Sequence, residues 1–356
     1  MGSCYVYGAQ TTAYGIARAL EHAGHSLAGY VVTDRSGNPA SIRGMRVYGI
    51  DELDPADCPK FFIAVPEYLH GEIARILEGR GFFDYVCMDS GKEYRLMRDY
   101  YRGTGRLRFL EDYAEDGGEE PVHEDGTGSL EIYVARSAQD KPLREMPRFP
   151  SGSVGVQAGA AIGPRISAQF FDDTGENISE RNCHYDELTV TYWAWKNRRA
   201  RCKGIAHYRR CIEISPAERA ALLSGRIDAV LPLPFLCYPD TSMQYGRYNR
   251  PEAVDAMLAA VGIVHGQRMR KSAEDVLRGD LLYNYNMLVA RAEVFDAYCA
   301  WLFPVLEQVE ALYRDMLPEG EHTRVCGHLG EILGTIYFLA CGRELRIAHG
   351  RKKWFV

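Results

Sequence analysis

The sequence predicts an α/β protein made of two successive units, the first a Rossmann-like parallel sheet. Three observations lead there. Short apolar runs alternate with helical-period runs from Cys4 to Asp89, an acidic stretch without Lys or Arg fills residues 111–129, and the alternation restarts at Leu130. Strands alternating with helices are the pattern of a doubly wound sheet. A length of 356 residues, at about 100–200 residues per domain, also implies two domains rather than one. The expected division is 1–110 as a Rossmann-like nucleotide-binding or docking domain, 111–129 as linker, and 130–356 as the second domain.

In the first unit, CYVYG (4–8) reads as a strand, TTAYGIARALEHAG (11–24) as a helix and LAGYVVTD (27–34) as a second strand. FFIAVP (61–66), LHGEIARILEGRG (69–81) and DYVCMD (84–89) continue the same order. The stretch 111–129 holds eight acids and has too little apolar surface to offset the entropy of ordering, so it reads as a linker. Beyond it, LEIYVAR (130–136), SAQFFDD (167–173), GIAHYRR (204–210), DAVLPLP (228–234) and YNYNMLVA (283–290) are the expected strands. Helices are expected over 185–197, 251–262, 294–316 and 327–342. Leu188, Tyr192 and Trp195 share one helical stripe, as do Phe295, Tyr298, Leu302, Leu306 and Val309, and both stripes are assigned to the core.

Composition excludes several classes. At 46% hydrophobic and 25% charged residues the chain is of ordinary globular type, not disordered or collagen-like. A net charge of −6 argues against a general nucleic-acid binder. That charge is unevenly placed, because taking the eight acids of 111–129 out of the total leaves +2 for everything else. Ten scattered cysteines form no CxxC and no zinc spacing, so they are expected as small buried residues of a reducing cytosol. The start of the sequence lacks a charged and apolar leader, and no apolar run nears the ~18–20 residues of a membrane span. A cytoplasmic protein, peripheral at most on the inner face of the plasma membrane, is the expectation.

Gly8 and Gly15 bracket GAQTTAYG after the first strand, and Asp34 closes the second. A strand-to-helix turn of this type lets a helix N-terminus approach an anion, and the acid stands where a ribose would be bound. The middle glycines of a dinucleotide fingerprint are replaced by Gln10 to Ala13, so a bound nucleotide and a structural docking role both stay open. The segment resembles the small Rossmann domains of bacterial sugar-modifying proteins.

The densest polar region is FFDDTGENISERNCHYDELTVTYWAWKN, with Asp173, Asn177, Ser179, Glu187, Lys196 and Asn197. Loops at the carboxyl ends of strands are where open α/β sheets take ligands, though Asp173 and Ser179 also suit plain caps. In GIAHYRR an apolar strand runs into His207, Tyr208, Arg209 and Arg210. Two adjacent guanidinium groups repel unless an anion joins them, and Arg forks match phosphate oxygens. Strand alternation would put Arg209 and Arg210 on opposite faces. The alternative partner for either is Asp172 or Glu187.

Four motifs in order then carry a family resemblance: Asp-Thr-Gly-Glu-Asn-Ile-Ser from Asp173, Glu-Leu-Thr with Tyr-Trp-Ala-Trp-Lys-Asn, His-Tyr-Arg-Arg, and Tyr-Asn-Met from Tyr285. Over about residues 130–350 the chain resembles DUF4422, a bacterial family of capsule and O-antigen loci regarded as glycosyltransferases. Members more often read Gly-Asp-Asn-Ile-Ser, and Glu176 keeps the carboxylate on a longer stem. The resemblance implies a GT-A-like α/β domain that moves a sugar, galactofuranose in some members, from a nucleotide-sugar. A UDP-sugar is the first donor expected, and a lipid-linked glycan of a growing cell-surface polysaccharide is the acceptor. Other polysaccharide-assembly proteins at the membrane would be partners, and nucleic acid would not.

Roles follow on that basis. Donor binding is assigned to Asn177, Ser179, Lys196, His207, Arg209, Arg210, Asn286, Arg324, His349 and Lys353. Basic residues stand where Asp-x-Asp and a metal would sit in a GT-A enzyme, so the diphosphate is expected to be neutralised without metal, with a His207–Asp173 metal site as the alternative. Glu331, one helical turn from His328, is the first candidate for the base that deprotonates the acceptor, followed by Asp173, Glu187 and Asp228. Tyr245, Arg247 and Tyr248 offer aromatic and polar surface for the acceptor. A nicotinamide-dependent sugar oxidoreductase is the rival enzyme, disfavoured by the altered glycines and by the lack of a Tyr-x-x-x-Lys pair, so NAD(P) is not the expected cofactor. A nucleotide-sensing scaffold is the non-enzymatic rival.

Overall fold

The computed structural model describes residues 3–113, 130–245, 250–313 and 324–355. In the first unit the chain runs β1 (Cys4–Tyr7), α1 (Thr11–His22), β2 (Leu27–Val32), β3 (Ser41–Ile42), β4 (Met45–Gly49), β5 (Lys60–Ile63), α2 (His70–Glu78), β6 (Tyr85–Cys87) and α3 (Ser90–Gly103). The sheet order is β3-β4-β2-β1-β5-β6. All its pairings are parallel except the β3–β4 hairpin. Alternation along the strands explains its two faces. Val6 and Phe62 pack under α1, whereas Tyr7, Phe61 and Ile63 pack against Ile73 and Leu77 of α2.

The second unit opens with β7 (Leu130–Arg136), β8 (Ser153–Gln157), β9 (Phe170–Phe171), α4 (Asn182–Tyr185), α5 (Leu188–Asn197), β10 (Cys202–His207) and β11 (Arg210–Ile212). It continues through α6 (Pro216–Leu223), β12 (Ala229–Pro232), β13 (Phe235–Leu236), α7 (Thr241–Tyr245), α8 (Pro251–His265) and α9 (Gln267–Leu277). It closes with β14 (Leu281–Leu282), β15 (Leu288–Arg291), α10 (Ala292–Tyr313), α11 (Val325–Ile336), β16 (Ile347–Gly350) and β17 (Lys352–Trp354). The main sheet has the order β16-β12-β15-β10-β7-β8-β9. Strands β10, β7, β8 and β9 run parallel, so their carboxyl ends share one edge. The chain is thus mixed α/β with a parallel sheet in each half.

The apolar stripe of α10 is core as expected, since Phe295, Tyr298, Leu302, Leu306 and Val309 are all buried. On α5 the stripe is displaced. Trp193 is buried, while Tyr192 and Trp195 are half-buried against Phe303. Val325–Glu344, which the sequence reading did not count as a possible span, is long and apolar enough to cross a membrane by length and composition; 67% of that stretch is buried inside the protein. The first residues of the acidic stretch are ordered, in the turn Leu110–Tyr113. There Glu111 and Asp112 pair with Arg98 and Arg102 of α3. Residues 114–129 lie outside the described residues.

The two halves meet along one apolar seam. Met97, Tyr100 and Tyr101 of α3 pack with Phe109, Leu236 and Leu281. Arg106 forks onto Asp280 at 2.9 and 2.5 Å, and Tyr101 donates its hydroxyl hydrogen to the Pro234 carbonyl at 3.2 Å.

Candidate functional site

A cavity of about 460 Å³ opens at the carboxyl ends of β7, β8 and β10. Its cations are Arg136, which ends β7, with Arg209, Arg210 and Arg324. The segment GIAHYRR is not one strand. β10 stops at His207, Tyr208 and Arg209 form a tight turn, and Arg210 opens the antiparallel β11. Both arginines therefore line the same cavity instead of opposite faces of a sheet.

The surroundings of Arg210 are unusual. Its guanidinium lies 4.4 Å from the Tyr285 ring centroid and 4.7 Å from that of Trp354. Its Nε is buried with no hydrogen-bond partner, as is Nε of Arg209. Among the described residues neither arginine makes an ion pair, so the expected alternative partners, Asp172 and Glu187, are not used. Burial depresses the pKa of Arg210. The Glu187 and Glu331 charges favour its cationic form from beyond ion-pair distance, and a buried guanidinium held by aromatic faces without a contact ion pair is costly unless an anion completes it.

One dipeptide organises the groups around it. Tyr285 and Asn286 have φ of +75° and +48°, a left-handed conformation that costs a side-chain-bearing residue energy. That geometry turns the Tyr285 carbonyl toward His207, whose Nε2–H donates to it at 2.5 Å, and the Tyr285 N–H toward Glu331 Oε1 at 2.7 Å. Asn286 donates from Nδ2 to Glu187 Oε1 at 2.8 Å and to the Gly327 carbonyl at 2.9 Å. The sequence reading placed these residues in a strand over 283–290, but the strand starts only at Leu288. Asn on both sides of Tyr285 was the available signal, because Asn tolerates turns that a continuous strand excludes.

Two titrations matter here. Burial, with the Glu187 charge added, pushes the Glu331 carboxyl up to about 7 despite the Tyr285 N–H. Such a carboxyl exchanges protons near neutral pH. His207 goes the other way, lowered to about 3 by burial and then by Arg210. It is a neutral ring fixed by a carbonyl at the lining of the first cavity, so it adds no positive charge there. Arg324 caps α11 at φ +54° and pairs with Asp186, which also lines the cavity.

Past Arg210 and Arg324 the space continues into a second cavity of about 700 Å³, which Asn284, Tyr285, His328 and Glu331 enter from the second half. Its far wall is the first half, with Gly8 to Thr12, Thr33, Asp34 and Asn38. Gly8 has φ +125°, and a Cβ there would stand 2.9 Å from the Ala64 carbonyl oxygen, so glycine is required. Asp34 accepts the Ser36 N–H at 2.8 Å, a bond that holds its pKa below the ordinary value. Gly15 does not belong to this wall. It sits inside α1, facing Met97 and Leu236 at the seam, where a Cβ would make only ordinary contacts.

Several other expected site residues are engaged in structure instead. Asp173 forks onto Arg165 at 3.1 and 2.6 Å and lies outside both cavity linings, so it is neither placed as base nor joined to His207 around a metal. Among the described residues no group of three or more His, Cys, Asp or Glu is placed to hold a metal ion. Ser179 is fully buried, donating to Asp172 Oδ1 at 2.5 Å and accepting the Ala161 N–H at 3.0 Å. Among the described residues Asn177 bonds within its own turn, to the Gly175 carbonyl and the Ser179 N–H. Lys196 pairs with Glu176 at 2.9 Å and sits 3.9 Å over the Trp195 ring.

At the carboxyl terminus, His349 is buried. Its Nδ1–H donates to the Arg108 carbonyl at 2.8 Å and its Nε2 accepts from the Tyr283 hydroxyl at 2.8 Å. Its pKa falls to about 4 through burial. The basic tail is strand β17 paired to β11, which turns Lys353 outward to Glu213 at 3.3 Å. Asp228 is held by Arg346 and Arg291. Asn286 acts as the brace described above and does not line either cavity. Arg247, Tyr248 and the Tyr245 side chain lie outside the described residues. Sequence reasoning missed Arg136 and Asp140, both in the first cavity. Asp140 leaves Oδ2 buried without a partner, and burial raises its pKa. A strand-terminal Arg followed by a polar turn was the only signal for either.

Comparison with known proteins places the second half. The family described as a domain of unknown function, DUF4422, matches residues 138–341. Among solved structures, the chain is similar to the apo form of the WbbM bifunctional glycosyltransferase, with a TM-score of 0.53 and 24% identity. That match covers 64% of this chain and 45% of the other. At this identity the two share a fold, and the chain corresponds to under half of its structural relative. No curated protein matches the chain.

Proposed function

The chain belongs to the DUF4422 family, and on that premise we propose that it is a glycosyltransferase of GT-A-like layout. Its donor is a nucleotide-sugar, with UDP as the first nucleotide to test, seated in the cavity at the ends of β7, β8 and β10. The observation that carries this reading is the pair Arg209 and Arg210, buried at their Nε atoms and in no ion pair among the described residues, at the sheet edge where α/β folds take ligands. Arg324 adds a third cation at the same mouth. The solved relative, a bifunctional glycosyltransferase, agrees with the assignment at the level of class.

The chemistry runs as a displacement at the anomeric carbon. An acceptor hydroxyl oxygen forms the new bond to that carbon as the bond to the diphosphate oxygen breaks. The diphosphate leaves with the electron pair, and the arginines stabilise its charge. Glu331 takes the hydroxyl proton, for which a carboxyl near neutrality is suited. His207, neutral, and Asn286 hold the Tyr285 loop that positions Glu331. The acceptor we propose is a lipid-linked glycan of a cell-surface polysaccharide, met at the inner face of the plasma membrane.

The test is turnover of radiolabelled UDP-galactofuranose and UDP-galactose by the full chain, using membranes that carry the lipid-linked glycan. Wild type is expected to transfer sugar, and Arg209→Ala to lose turnover while keeping its thermal unfolding midpoint. Unchanged turnover in that variant would remove the diphosphate assignment. Transfer is expected to persist in chelator, and its loss there with recovery on manganese would replace the arginine-only scheme by a metal-assisted one.

A further inference from the structure

We infer that the crevice of the N-terminal sheet is the acceptor half of the active site, where it binds the neutral, hydroxyl-rich end of a growing glycan. This rests on the glycosyltransferase reading of the second half.

The first argument is placement. Rossmann-type sheets bind ligands at the carboxyl ends of their strands beside the point where strand order reverses. Here that point lies between β1 and β5, and the loops after β1, β2 and β5 do not open to solvent alone. They form one wall of the 700 Å³ cavity whose other wall carries Glu331 and Asn284. Arg210 and Arg324 line both cavities, whereas Glu331 and His328 line only the second. The order across the molecule is therefore donor cavity, arginines, Glu331, crevice. A hydroxyl that reaches Glu331 from the side away from the donor arrives through the crevice.

The second argument is chemistry. Among the described residues the N-terminal wall contributes no Lys, Arg or His. It offers Gln10, Thr12, Thr33, Asp34 and Asn38, with Tyr68 63% exposed at the same wall. The Asp34 carboxylate, held ionised by the Ser36 N–H, disfavours a second diphosphate there. Amides, hydroxyls, one carboxylate and an aromatic face are instead the groups that recognise sugar hydroxyls and ring faces. Gln10 stands at the N-terminus of α1 without making a capping bond, so its side chain is available. A cavity of about 700 Å³ lies within the range of roughly 300–1,000 Å³ common for ligand sites.

The third argument is fixity. The seam of Met97, Tyr100, Tyr101, Phe109, Leu236 and Leu281, with the Arg106–Asp280 fork, holds the crevice against the second half. The N-terminal unit is then a fixed wall of one composite site and not a separate nucleotide module.

The experiment uses full-length Asp34→Ala and Gln10→Trp, both at exposed positions, in the membrane transfer assay above. The KM for the glycan acceptor is expected to rise roughly tenfold or more in each, as loss of a charged hydrogen bond or filling of the cavity implies. The KM for the UDP-sugar and the affinity for UDP by calorimetry stay at wild-type values. An unchanged acceptor KM in both variants overturns the inference while leaving donor turnover intact. A weakened UDP affinity in Asp34→Ala also overturns it, because the crevice would then hold nucleotide. If wild type neither transfers sugar nor binds UDP, the glycosyltransferase reading fails and takes the acceptor subsite with it.

Discussion

Two polar regions hang from the same sheet, and they behave in opposite ways. From Asp172 to Asn197 nearly every polar group is satisfied by a neighbour. Asp172 takes the Gly159 and Ala160 N–H groups and the Ser179 hydroxyl, and Asn197 clamps Glu176 through both its N–H and its carbonyl. A Cβ on Gly175 would lie 2.0 Å from Asn197 Oδ1, which shows how closely that turn is pressed on α5. From His207 to Arg210, with the 284–286 loop, polar atoms are left over. Nε of Arg209, Nε of Arg210 and Oδ1 of Asn284 and Asn286 are buried without partners. Polar density marked the first region in the sequence, but unmet demand marks the second. Buried groups without partners are the ones a ligand can complete.

Substitutions that separate the two regions give the sharpest tests. The largest effect belongs to Glu331→Gln, which should lower kcat by about 10²–10⁴-fold, the usual contribution of a positioned base, with UDP affinity retained. Its pH dependence has a defined sign. The base acts only when deprotonated, so wild-type kcat should fall roughly tenfold per pH unit below about 7, and the variant should show no such limb. Because the folded-state pKa is raised, the stability it contributes is complete below the ordinary carboxylate range and lost as pH rises through about 7. Thermal unfolding of Glu331→Gln relative to wild type should therefore improve between pH 5 and 8, a window set by that titration.

Next in size is Arg210→Ala, expected to weaken UDP by tenfold or more, since a charge-assisted pair to phosphate is lost. Arg210→Lys should not restore binding, because an ammonium cannot fork onto phosphate from between the Tyr285 and Trp354 rings. Asp172→Ala reports on the other region. It strands several buried donors, so stability should drop by about 3 kcal/mol or more while UDP affinity of the folded protein is kept. A change in affinity would return Asp172 to the site. His349 gives a smaller, pH-linked effect. Its folded pKa is depressed, so its contribution to stability is present above the ordinary histidine range and is lost as pH falls toward about 4. Replacing it by Gln should flatten the acid limb of a thermal-melt series. The smallest effect is Lys196→Ala, whose pair with Glu176 is too exposed to change either melting or UDP affinity measurably.

Much of the fold was legible because it rests on local periodicity. The runs CYVYG, LAGYVVTD, FFIAVP and LEIYVAR all became central strands, and the α10 stripe became core. What failed were elements whose signal is tertiary. Helix α3 is rich in Arg and Tyr and low in aliphatic residues, and its apolar stripe of Tyr94, Met97, Tyr100 and Tyr101 was passed over; all four are buried, the last three in the seam between the halves. The tail 347–354 became two strands because partners distant in sequence, β12 and β11, were waiting for it. Within the site, Arg209, Arg210, Arg324 and Glu331 were visible as charges in apolar surroundings. His349 in the basic tail and Ser179 in the densest polar run were visible too and were misassigned, because a sequence does not say which polar group finds an internal partner. The left-handed turn at Tyr285 and Asn286 was hidden by the apolar run around it.

The most direct test of the diphosphate site is a calorimetric titration of UDP into the full chain beside its Arg210→Ala and Asp173→Ala variants. If the hairpin arginines hold the diphosphate, wild type and Asp173→Ala bind UDP alike, and Arg210→Ala binds at least tenfold more weakly. Equal affinity in wild type and Arg210→Ala, or a loss confined to Asp173→Ala, would contradict it.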